Sequence, residues 1–453
     1  FELREFIRFN TRVASAHFDE IASRWTVTTD DDAQLSASHV VMATGCLSSA
    51  KTPDFPGLAD FKGETYHTGQ WPHESVDLCG KRVGIIGTGS SAIQAIPVLA
   101  EQAGHLTVFQ RTPNYSIPSR NGPMTPEYED SWKCDYPNFR ARARMAPTGN
   151  LIERNEASAV DVAAPERERI YEQRWAAGGT QFMGSFSDLA TNQASNDTAA
   201  QFVRQKIREM VKDGATAELL APKDYPIGTK RICVDTHYFE TFNRPNVTLV
   251  DVRHQEVETL TQKGVVTGGQ EYEFDAIVFA TGFDAMTGTL FSIDIQGRQG
   301  EKLKDKWEAG PRTYLGLMSN GFPNMFLITG PGSPSVLSNM MVSIEQHVDY
   351  VSDVLAHMQR ESIATIEPQR AAEDAWVVHV NEVAYTTLYP KAASWYMGAN
   401  IPGKPRLFLP YIGGVGSYRK RCDEVADAGY EGFDLVAVAD IGSTAYTPHR
   451  TSA

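Results

Sequence analysis

The sequence is poor in cysteine and contains no long apolar run. Five of its 453 residues are cysteine, and none of them forms a CxxC pair or lies near a histidine cluster. This scatter indicates neither a disulfide framework nor a zinc site. No apolar segment approaches the roughly 18 residues that a membrane helix needs, and no charged-then-apolar leader opens the chain. We therefore expect a soluble, cytoplasmic protein with reduced thiols and no bound metal.

Basic residues are also in deficit. The chain has 42 Lys and Arg against 56 Asp and Glu, which gives a net charge of −14. This balance disfavours a polyanion, such as nucleic acid or an anionic membrane surface, as the main partner. The length is sufficient for roughly three domains of about 150 residues each.

One pattern of strands occurs twice and ends each time in Ala-Thr-Gly. The first copy predicts strands over 7–13, 24–28 and 39–42, before Ala43-Thr44-Gly45. The second copy predicts strands over 246–250, 264–267 and 275–279, before Ala280-Thr281-Gly282. We interpret this repeat as a structural duplication at low sequence identity.

A candidate phosphate-binding loop precedes the second copy. An apolar strand over 83–86 enters the loop, and an amphipathic helix that reaches about residue 103 leaves it. In a GxGxxG/A loop the first glycine permits the tight turn, the second lets the backbone approach a pyrophosphate, and the small third residue packs helix on strand. Gly87, Gly89 and Ala92 occupy these positions. The candidate dinucleotide contacts are Gly87, Thr88, Gly89, Ser90, Ser91, Ala92, Ile93 and Gln94.

The residues after the next strand indicate which dinucleotide binds. An NAD site needs an acidic residue about 20 residues further on, where it binds the ribose hydroxyls. Here the strand over 106–109 ends instead in Gln110-Arg111-Thr112. Because arginine binds a phosphate through bidentate, charge-assisted hydrogen bonds, Arg111 favours NADP over NAD. The alternative is a solvated surface arginine.

Between residues 119 and 226 the pattern changes to helices. One is predicted from Pro165 to Gly178, and a second from Asn196 to Gly214. The sequence therefore predicts an α/β fold with two Rossmann-like dinucleotide-binding domains and a helical insertion. No glycine-rich loop precedes the first copy, so we expect the strand-loop-helix unit of that domain to be missing at the N-terminus.

A further motif lies between the first Ala-Thr-Gly and the glycine-rich loop. Its residues are Phe61, Gly63, His67, Trp71 and Pro72. Alone, they would indicate a packed aromatic linker in which His67 is merely hydrogen-bonded. Their spacing, FxGxxxHxxxWP, resembles the identifying pattern of the flavin-dependent Baeyer–Villiger monooxygenases at every specified position. The resemblance covers essentially the whole chain and is greatest to the phenylacetone, steroid and large-ring ketone branch.

The resemblance implies a reaction. An enzyme of this kind uses NADPH, FAD and O2 to convert a ketone to an ester or lactone through a C4a-peroxyflavin. The partners are then a small-molecule ketone and O2, without nucleic acid or membrane, and we expect a monomer. The predicted FAD-binding domain comprises 1–50 and 280–453 and is incomplete at its N-terminus. The NADP-binding domain comprises 51–118 and 227–279, and the helical insertion comprises 119–226.

The resemblance also implies roles for individual residues. Lys230 joins Arg111 and Thr112 around the 2′-phosphate of NADP. Arg231 faces the flavin as the catalytic residue, where a permanent cation stabilises the negative charge that develops during oxygenation. Alone, Lys230 and Arg231 would be interpreted as a solvated pair that precedes a strand.

Three further contacts follow from the same resemblance. Trp395 lies on a loop that closes over NADP, and Met340 and Val13 lie beside FAD. Without the resemblance, Trp395 is a half-buried anchor and Met340 is part of the core. His67 is expected to link the domains instead of titrating in catalysis.

Other functions remain open at this stage. A disulfide reductase with two dinucleotide-binding domains would have a similar fold, but Cys46 and Cys79 lack the CxxxxC spacing of a redox pair. A non-catalytic NADP-binding fragment and an N- or S-oxygenating flavin monooxygenase are the remaining alternatives.

Overall fold

The computed structural model describes residues 1–51 and 53–440. Its strands are β1 (Val13–Asp19), β2 (Arg24–Thr29), β3 (Gln34–Ala37), β4 (Val40–Met42), β5 (Glu64–His67), β6 (Arg82–Ile86), β7 (His105–Gln110), β8 (Ser116–Pro118), β9 (Cys233–Asp235), β10 (Val247–Asp251), β11 (Val257–Leu260), β12 (Gly264–Thr267), β13 (Gln270–Glu273), β14 (Ala276–Phe279), β15 (Asp294–Gln296), β16 (Met325–Leu327), β17 (Ile363–Pro368) and β18 (Phe433–Ala437).

The α-helices are α1 (Ser90–Gln102), α2 (Pro126–Lys133), α3 (Tyr136–Met145), α4 (Ala164–Ala177), α5 (Gln193–Met210), α6 (Gly214–Leu220), α7 (Tyr238–Thr241), α8 (Gly288–Phe291), α9 (Leu303–Lys306), α10 (Met340–Arg360), α11 (Arg370–Tyr385) and α12 (Val415–Asp427). Short 3-10 turns include Leu3–Phe6, Ser335–Leu337, Tyr389–Lys391 and Trp395–Met397. Within the described part of the chain, no helix is both long and apolar enough to span a membrane.

A five-stranded parallel sheet forms one half of the molecule. Its strand order is β10-β7-β6-β14-β5. Strand β6, the turn at Gly87 and helix α1 follow one another directly, which confirms the predicted strand-loop-helix unit. The interior strand β14, between β6 and β5, is buried along its whole length, as expected for a parallel sheet that is covered on both faces.

The duplicated pattern is present as a three-stranded meander followed by a strand that ends at Ala-Thr-Gly. In the first copy, β1, β2 and β3 form the meander and β4 follows; in the second, β11, β12 and β13 form it and β14 follows. The strand predicted over 246–250 is present as β10, but it pairs with β7 in the five-stranded sheet and is not part of the meander. The strand predicted over 7–13 is wrong, because β1 begins only at Val13. Ile7 and Phe9 are half exposed, and pairing of β1 with β2 starts at the Val13–Thr29 pair.

Helices α2 to α6 lie between β8 and β9, which pair in parallel. The helix predicted from Pro165 is confirmed as α4, which places this proline in the first turn and ends before Gly178. Helix α5 begins three residues earlier than predicted. The reason is that the Asn192 side chain accepts hydrogen bonds from the N–H groups of Ala194 and Ser195 and so caps the helix there. Helix α5 ends at Met210, and Gly214, its predicted stop, is instead the first residue of α6.

Two segments, 50–51 and 281–283, connect the five-stranded sheet to the rest of the chain and run side by side. Ala50 forms an isolated antiparallel bridge with Phe283. The N–H of Lys51 donates to the Gly282 carbonyl at 2.9 Å, and the Thr281 hydroxyl donates to the Lys51 carbonyl at 2.6 Å. The chain after the first Ala-Thr-Gly turn is therefore hydrogen-bonded to the second Ala-Thr-Gly turn and to the residue that follows it.

Candidate active site

The glycine-rich loop has the shape that a bound pyrophosphate requires. Gly87 has a φ of +117°, and a Cβ atom there would lie 2.5 Å from the Ala280 carbonyl oxygen. A Cβ at Gly89 would meet nothing within 4 Å, so the backbone there faces open space at the start of α1. An open, positively polarised helix N-terminus is suited to an anion.

Some of the remaining residues of the loop are hydrogen-bonded to neighbouring backbone, and others are packed in the core. The Thr88 hydroxyl donates to the Thr112 carbonyl at 2.8 Å, and Asn114 donates to the Thr88 carbonyl at 2.8 Å. Ala92 and Ile93 are fully buried in the core, where Ala92 lets α1 approach the sheet closely. The side chains of Ser90 and Ser91 are half-buried, and that of Gln94 is exposed.

Two cations that the sequence predicted to share a phosphate lie close to each other. Burial and the positive charge of Arg111 lower the pKa of Lys230. Lys230 Nζ lies 4.6 Å from the centre of the Tyr225 ring. Within residues 1–51 and 53–440, no carboxylate oxygen lies within 4.0 Å of the side-chain nitrogens of Arg111 or Lys230. Like charges held together without a paired anion suit a phosphate ligand.

Arg231 lies against the turn Ser335–Leu337. Its Nη1 donates to the Val336 carbonyl at 3.1 Å, and the rest of the side chain is largely exposed. Tyr396 is buried beside it: burial raises the pKa of this phenol, and the guanidinium of Arg231 partly offsets the effect. The guanidinium is therefore oriented from one side and free to bind on the other.

Trp395 and Met340 join Arg231 around the same apolar cluster. Val336 and Tyr396 are buried members of that cluster, and both Trp395 and Met340 pack against it. The Tyr396 carbonyl accepts from the N–H of Leu409 at 2.8 Å, which attaches the Trp395 turn to the following segment. Val13, by contrast, lies outside this cluster. It begins β1 and pairs with Thr29 of β2.

The FxGxxxHxxxWP motif links the five-stranded sheet to the segment that contains Thr281. His67 ends β5; its Nδ1 accepts from the N–H of Gly69 at 3.0 Å, and its Nε2 lies 3.3 Å from the Thr281 hydroxyl. Burial lowers the pKa of His67, which favours the neutral ring with Nε2–H donating to Thr281. This geometry agrees with a linking role.

The other motif residues are structural. Phe61 is buried, and a Cβ at Gly63 would lie 2.6 Å from the Asp275 carbonyl oxygen. The Trp71 ring packs on Tyr66 at 5.2 Å between centroids, next to the half-buried Pro72. The close approach at Gly63 joins the residue before β5 to the residue before β14, whereas the Trp71 ring covers a residue of β5 itself.

Sequence reasoning missed several residues of the site. Tyr396, Val336 and Ser394 were not predicted, although the first and third flank Trp395. Ser394 Oγ is buried and has no hydrogen-bond partner among the described residues, and the same holds for Asn400 Oδ1. A buried, unpaired polar atom is costly, so both are candidate ligand contacts. The described residues contain no group of three or more His, Cys, Asp or Glu side chains that could hold a metal.

Comparison with known proteins agrees with this geometry. Residues 1–121 match the family described as flavin-binding monooxygenase-like. A Baeyer–Villiger monooxygenase from Pseudooceanicola batsensis is 42% identical over 432 residues, which span 95% of this chain and 78% of that protein. A cyclohexanone 1,2-monooxygenase from Acinetobacter sp is 39% identical over 437 residues, which span 96% and 80%. An oxidized steroid monooxygenase bound to NADP superposes with a TM-score of 0.91 at 49% identity, covering 96% of this chain and 82% of that one.

The fold and these matches define a flavin-dependent monooxygenase with two dinucleotide-binding domains. More specifically, the chain belongs to the Baeyer–Villiger monooxygenases, which confirms the resemblance drawn from Phe61, Gly63, His67, Trp71 and Pro72. Its function is the oxidation of ketones by NADPH and O2 with FAD. This assignment decides against the disulfide reductase.

Proposed function

We propose that NADPH binds between the Gly87 loop and the Trp395 turn, and that Arg231 is the catalytic residue of ketone oxidation. The observation that carries the proposal is the pair Arg111 and Lys230, two cations near each other without a carboxylate partner among the described residues. The relative solved with NADP supports the same ligand.

The NADP site fits its ligand in three respects. The open backbone at Gly89 and the N-terminus of α1 suit the pyrophosphate. Arg111 and Lys230 suit the 2′-phosphate, and Thr112, whose hydroxyl is a further candidate contact, follows Arg111 directly in the sequence. Ser394 Oγ, which is buried and has no hydrogen-bond partner among the described residues, is a further candidate contact.

For FAD, the chain supplies contacts of a different kind. Arg231 and Met340 lie around the apolar cluster that contains Val336 and Tyr396. We assign the flavin ring of FAD to the surface of this cluster. We assign Val13 to another part of the same cofactor. Among residues 1–51 and 53–440, the only strand-loop-helix unit with the GxGxxA pattern is the one at Gly87. Relatives solved with both FAD and NADP support binding of the two cofactors together.

When bound, NADPH and FAD supply the hydride and the activated oxygen of the reaction. Arg231 contributes electrostatics: its permanent charge stabilises the negative charge that develops on the carbonyl oxygen of the ketone. The hydrogen bond to Val336 orients the guanidinium before the substrate arrives, so little reorganisation is needed. Trp395, with Tyr396 behind it, closes the site against water.

We also assign domains on this basis. Residues 51–118 and 227–279 carry the five-stranded sheet and form the NADP-binding domain. Residues 1–50 and 280–440 form the FAD-binding domain; its predicted remainder, 441–453, lies outside the described residues. Residues 119–226, with helices α2 to α6, form the insertion. The preference for the phenylacetone, steroid and large-ring ketone branch is supported by the 49% identity to the steroid monooxygenase. The monomeric state and the cytoplasmic location stay predictions.

The role of Arg231 is tested by replacing it with Ala in the holoenzyme. We expect ester or lactone formation to fall by about 100-fold or more, because one preorganised charge at a developing oxyanion contributes on this scale. NADPH should still reduce the flavin, since Arg231 does not carry the hydride. Arg231→Lys is the matched control and should retain part of the product formation. Unchanged product formation in Arg231→Ala would contradict the assignment.

The 2′-phosphate assignment is tested separately at Arg111. Arg111→Ala should raise the KM for NADPH far more than the KM for NADH, because only NADPH carries the phosphate. Steady-state kinetics with both coenzymes measure the difference. Equal effects on the two would remove Arg111 from the site.

A further inference from the structure

Lys51 occupies the point at which the segments 50–51 and 281–283 meet. Its N–H donates to the Gly282 carbonyl at 2.9 Å, and its carbonyl accepts from the Thr281 hydroxyl at 2.6 Å. The backbone of Lys51 is therefore held from both sides, and its side chain starts from a defined position.

The side chain of Lys51 reaches the segment that carries Trp395. Lys51 Nζ donates to the Asn400 carbonyl at 2.7 Å, and the Asn400 side chain donates to the Phe283 carbonyl at 2.7 Å. The segment folds back on itself, because the N–H of Ala399 donates to the Ser394 carbonyl at 3.0 Å. A bond to Asn400 consequently also restrains the turn that contains Trp395.

The charge of Lys51 is under-compensated. Burial and the positive charge of Arg111 lower the pKa of Lys51, and Asp284 only partly offsets them. Asp284 itself pairs with Lys404 at 2.9 Å. In the described part of the chain, no carboxylate oxygen lies within 4.0 Å of Lys51 Nζ. The charge of Arg111 lowers the pKa of two lysines, Lys51 and Lys230, and an anion bound at Arg111 would offset both repulsions.

We propose that Lys51 is a third cation of the 2′-phosphate site and a positioning residue that holds the Trp395 segment when the phosphate is bound. The inference rests on the proposed NADP site. A phosphate dianion near Arg111 stabilises the charged amine of Lys51 and strengthens its charge-assisted bond to Asn400. By thermodynamic linkage, the docked segment raises the affinity for the phosphorylated coenzyme by the same factor. NADP then orders this segment more strongly than NAD does.

The test uses the holoenzyme and hydrogen exchange of the segment 395–405 with saturating NADP+ or NAD+. In the unchanged protein, NADP+ should protect these amides more strongly than NAD+. In Lys51→Met, the two coenzymes should give equal protection, and the binding preference for NADP+ over NAD+ should fall by about 5-fold or more, the lower end of ordinary coupling between sites. Lys51→Arg should restore both.

Lys391→Met is the matched control. Lys391 Nζ bonds to Gln193 Oε1 at 2.9 Å, so this variant removes a cation and a tether four residues before Trp395, but not at the phosphate site. It should leave the difference between NADP+ and NAD+ intact. If Lys51→Met also leaves it intact while Arg111→Ala abolishes it, the role of Lys51 is overturned and the NADP site stands. If Arg111→Ala leaves it intact, the proposed NADP site itself is wrong.

Discussion

The two Ala-Thr-Gly copies place the same residue in opposite environments. Val278 and Val41 both lie four residues before the glycine of their copy. Val278 is fully buried in β14, which pairs with β5 on one side and β6 on the other. Val41 is 45% exposed in β4, which pairs with β16 alone among the described strands.

The difference shows that the Ala-Thr-Gly pattern determines the local structure but not how much that structure contributes to the free energy of unfolding. Both copies form a meander and an exit strand, and both end in a glycine with positive φ. Apolar alternation and the turn residue are sufficient for that local structure. The stabilisation depends on how much apolar surface the neighbours remove from water, which is large around β14 and small on one face of β4.

The largest expected effect is acid destabilisation of the half that contains β4. His347 in α10 is buried: its Nδ1 accepts from the Thr329 N–H at 2.8 Å, and its Nε2 lies 3.1 Å from the Tyr418 hydroxyl. Burial lowers the pKa of His347 to about 3. The folded state keeps the ring neutral, while the unfolded chain binds a proton below about pH 6.5. The free energy of unfolding should therefore fall by about 1.4 kcal/mol per pH unit from there towards pH 3.

Thermal unfolding between pH 7.5 and 4.5 measures this loss. His347→Gln is the control, because an amide can accept and donate at the same two positions without titrating. This variant should be less stable at pH 7.5 but should lose less on acidification. Amide exchange at low pH should rise in β16 and α10 before it rises in β6 and β14. Parallel pH profiles of the two proteins would show that another group is responsible.

The comparison between the strands is tested directly by Val278→Ala and Val41→Ala. Removing two buried methyl groups from β14 should cost about 2 kcal/mol or more, since a cavity remains in a packed sheet. The same change at the exposed Val41 should stay within about 0.5 kcal/mol. Denaturant unfolding of both variants gives the two values. Equal costs would mean that Val41 is covered in the folded protein.

The smallest expected difference concerns the two glycines. Gly45 and Gly282 have φ values of +74° and +80°. Alanine at either position should cost about 1–2 kcal/mol, because a Cβ disfavours this region of the backbone. A Cβ at Gly282 meets nothing within 4 Å, whereas one at Gly45 lies 2.7 Å from Ser48 Oγ. Gly45→Ala should therefore be slightly the more costly, and Ser48→Ala in the same chain should remove that excess.

Much of this architecture could be predicted from local patterns. The strand, loop and helix around Gly87, helix α4 from Pro165 and the exit strands β4 and β14 all follow from apolar periodicity and turn residues. The strand over 7–13 could not be predicted correctly, because a strand exists only where a partner is available. The start of α5 depended on one side-chain cap at Asn192.

The candidate site divides along the same line. Arg111 was predicted from its position after β7, whereas the roles of Lys230, Arg231 and His67 were predicted only through the resemblance to the Baeyer–Villiger monooxygenases. The roles that we propose for Lys51, Val336, Tyr396 and Ser394 depend on contacts between segments separated by tens to hundreds of residues. Short segments specify turns, periodicity and charge, while long-range packing sets burial, unpaired polar atoms and the proximity of like charges. Long-range packing is therefore the reason that Val278 is buried while Val41 is exposed, and that Lys51 contacts Asn400.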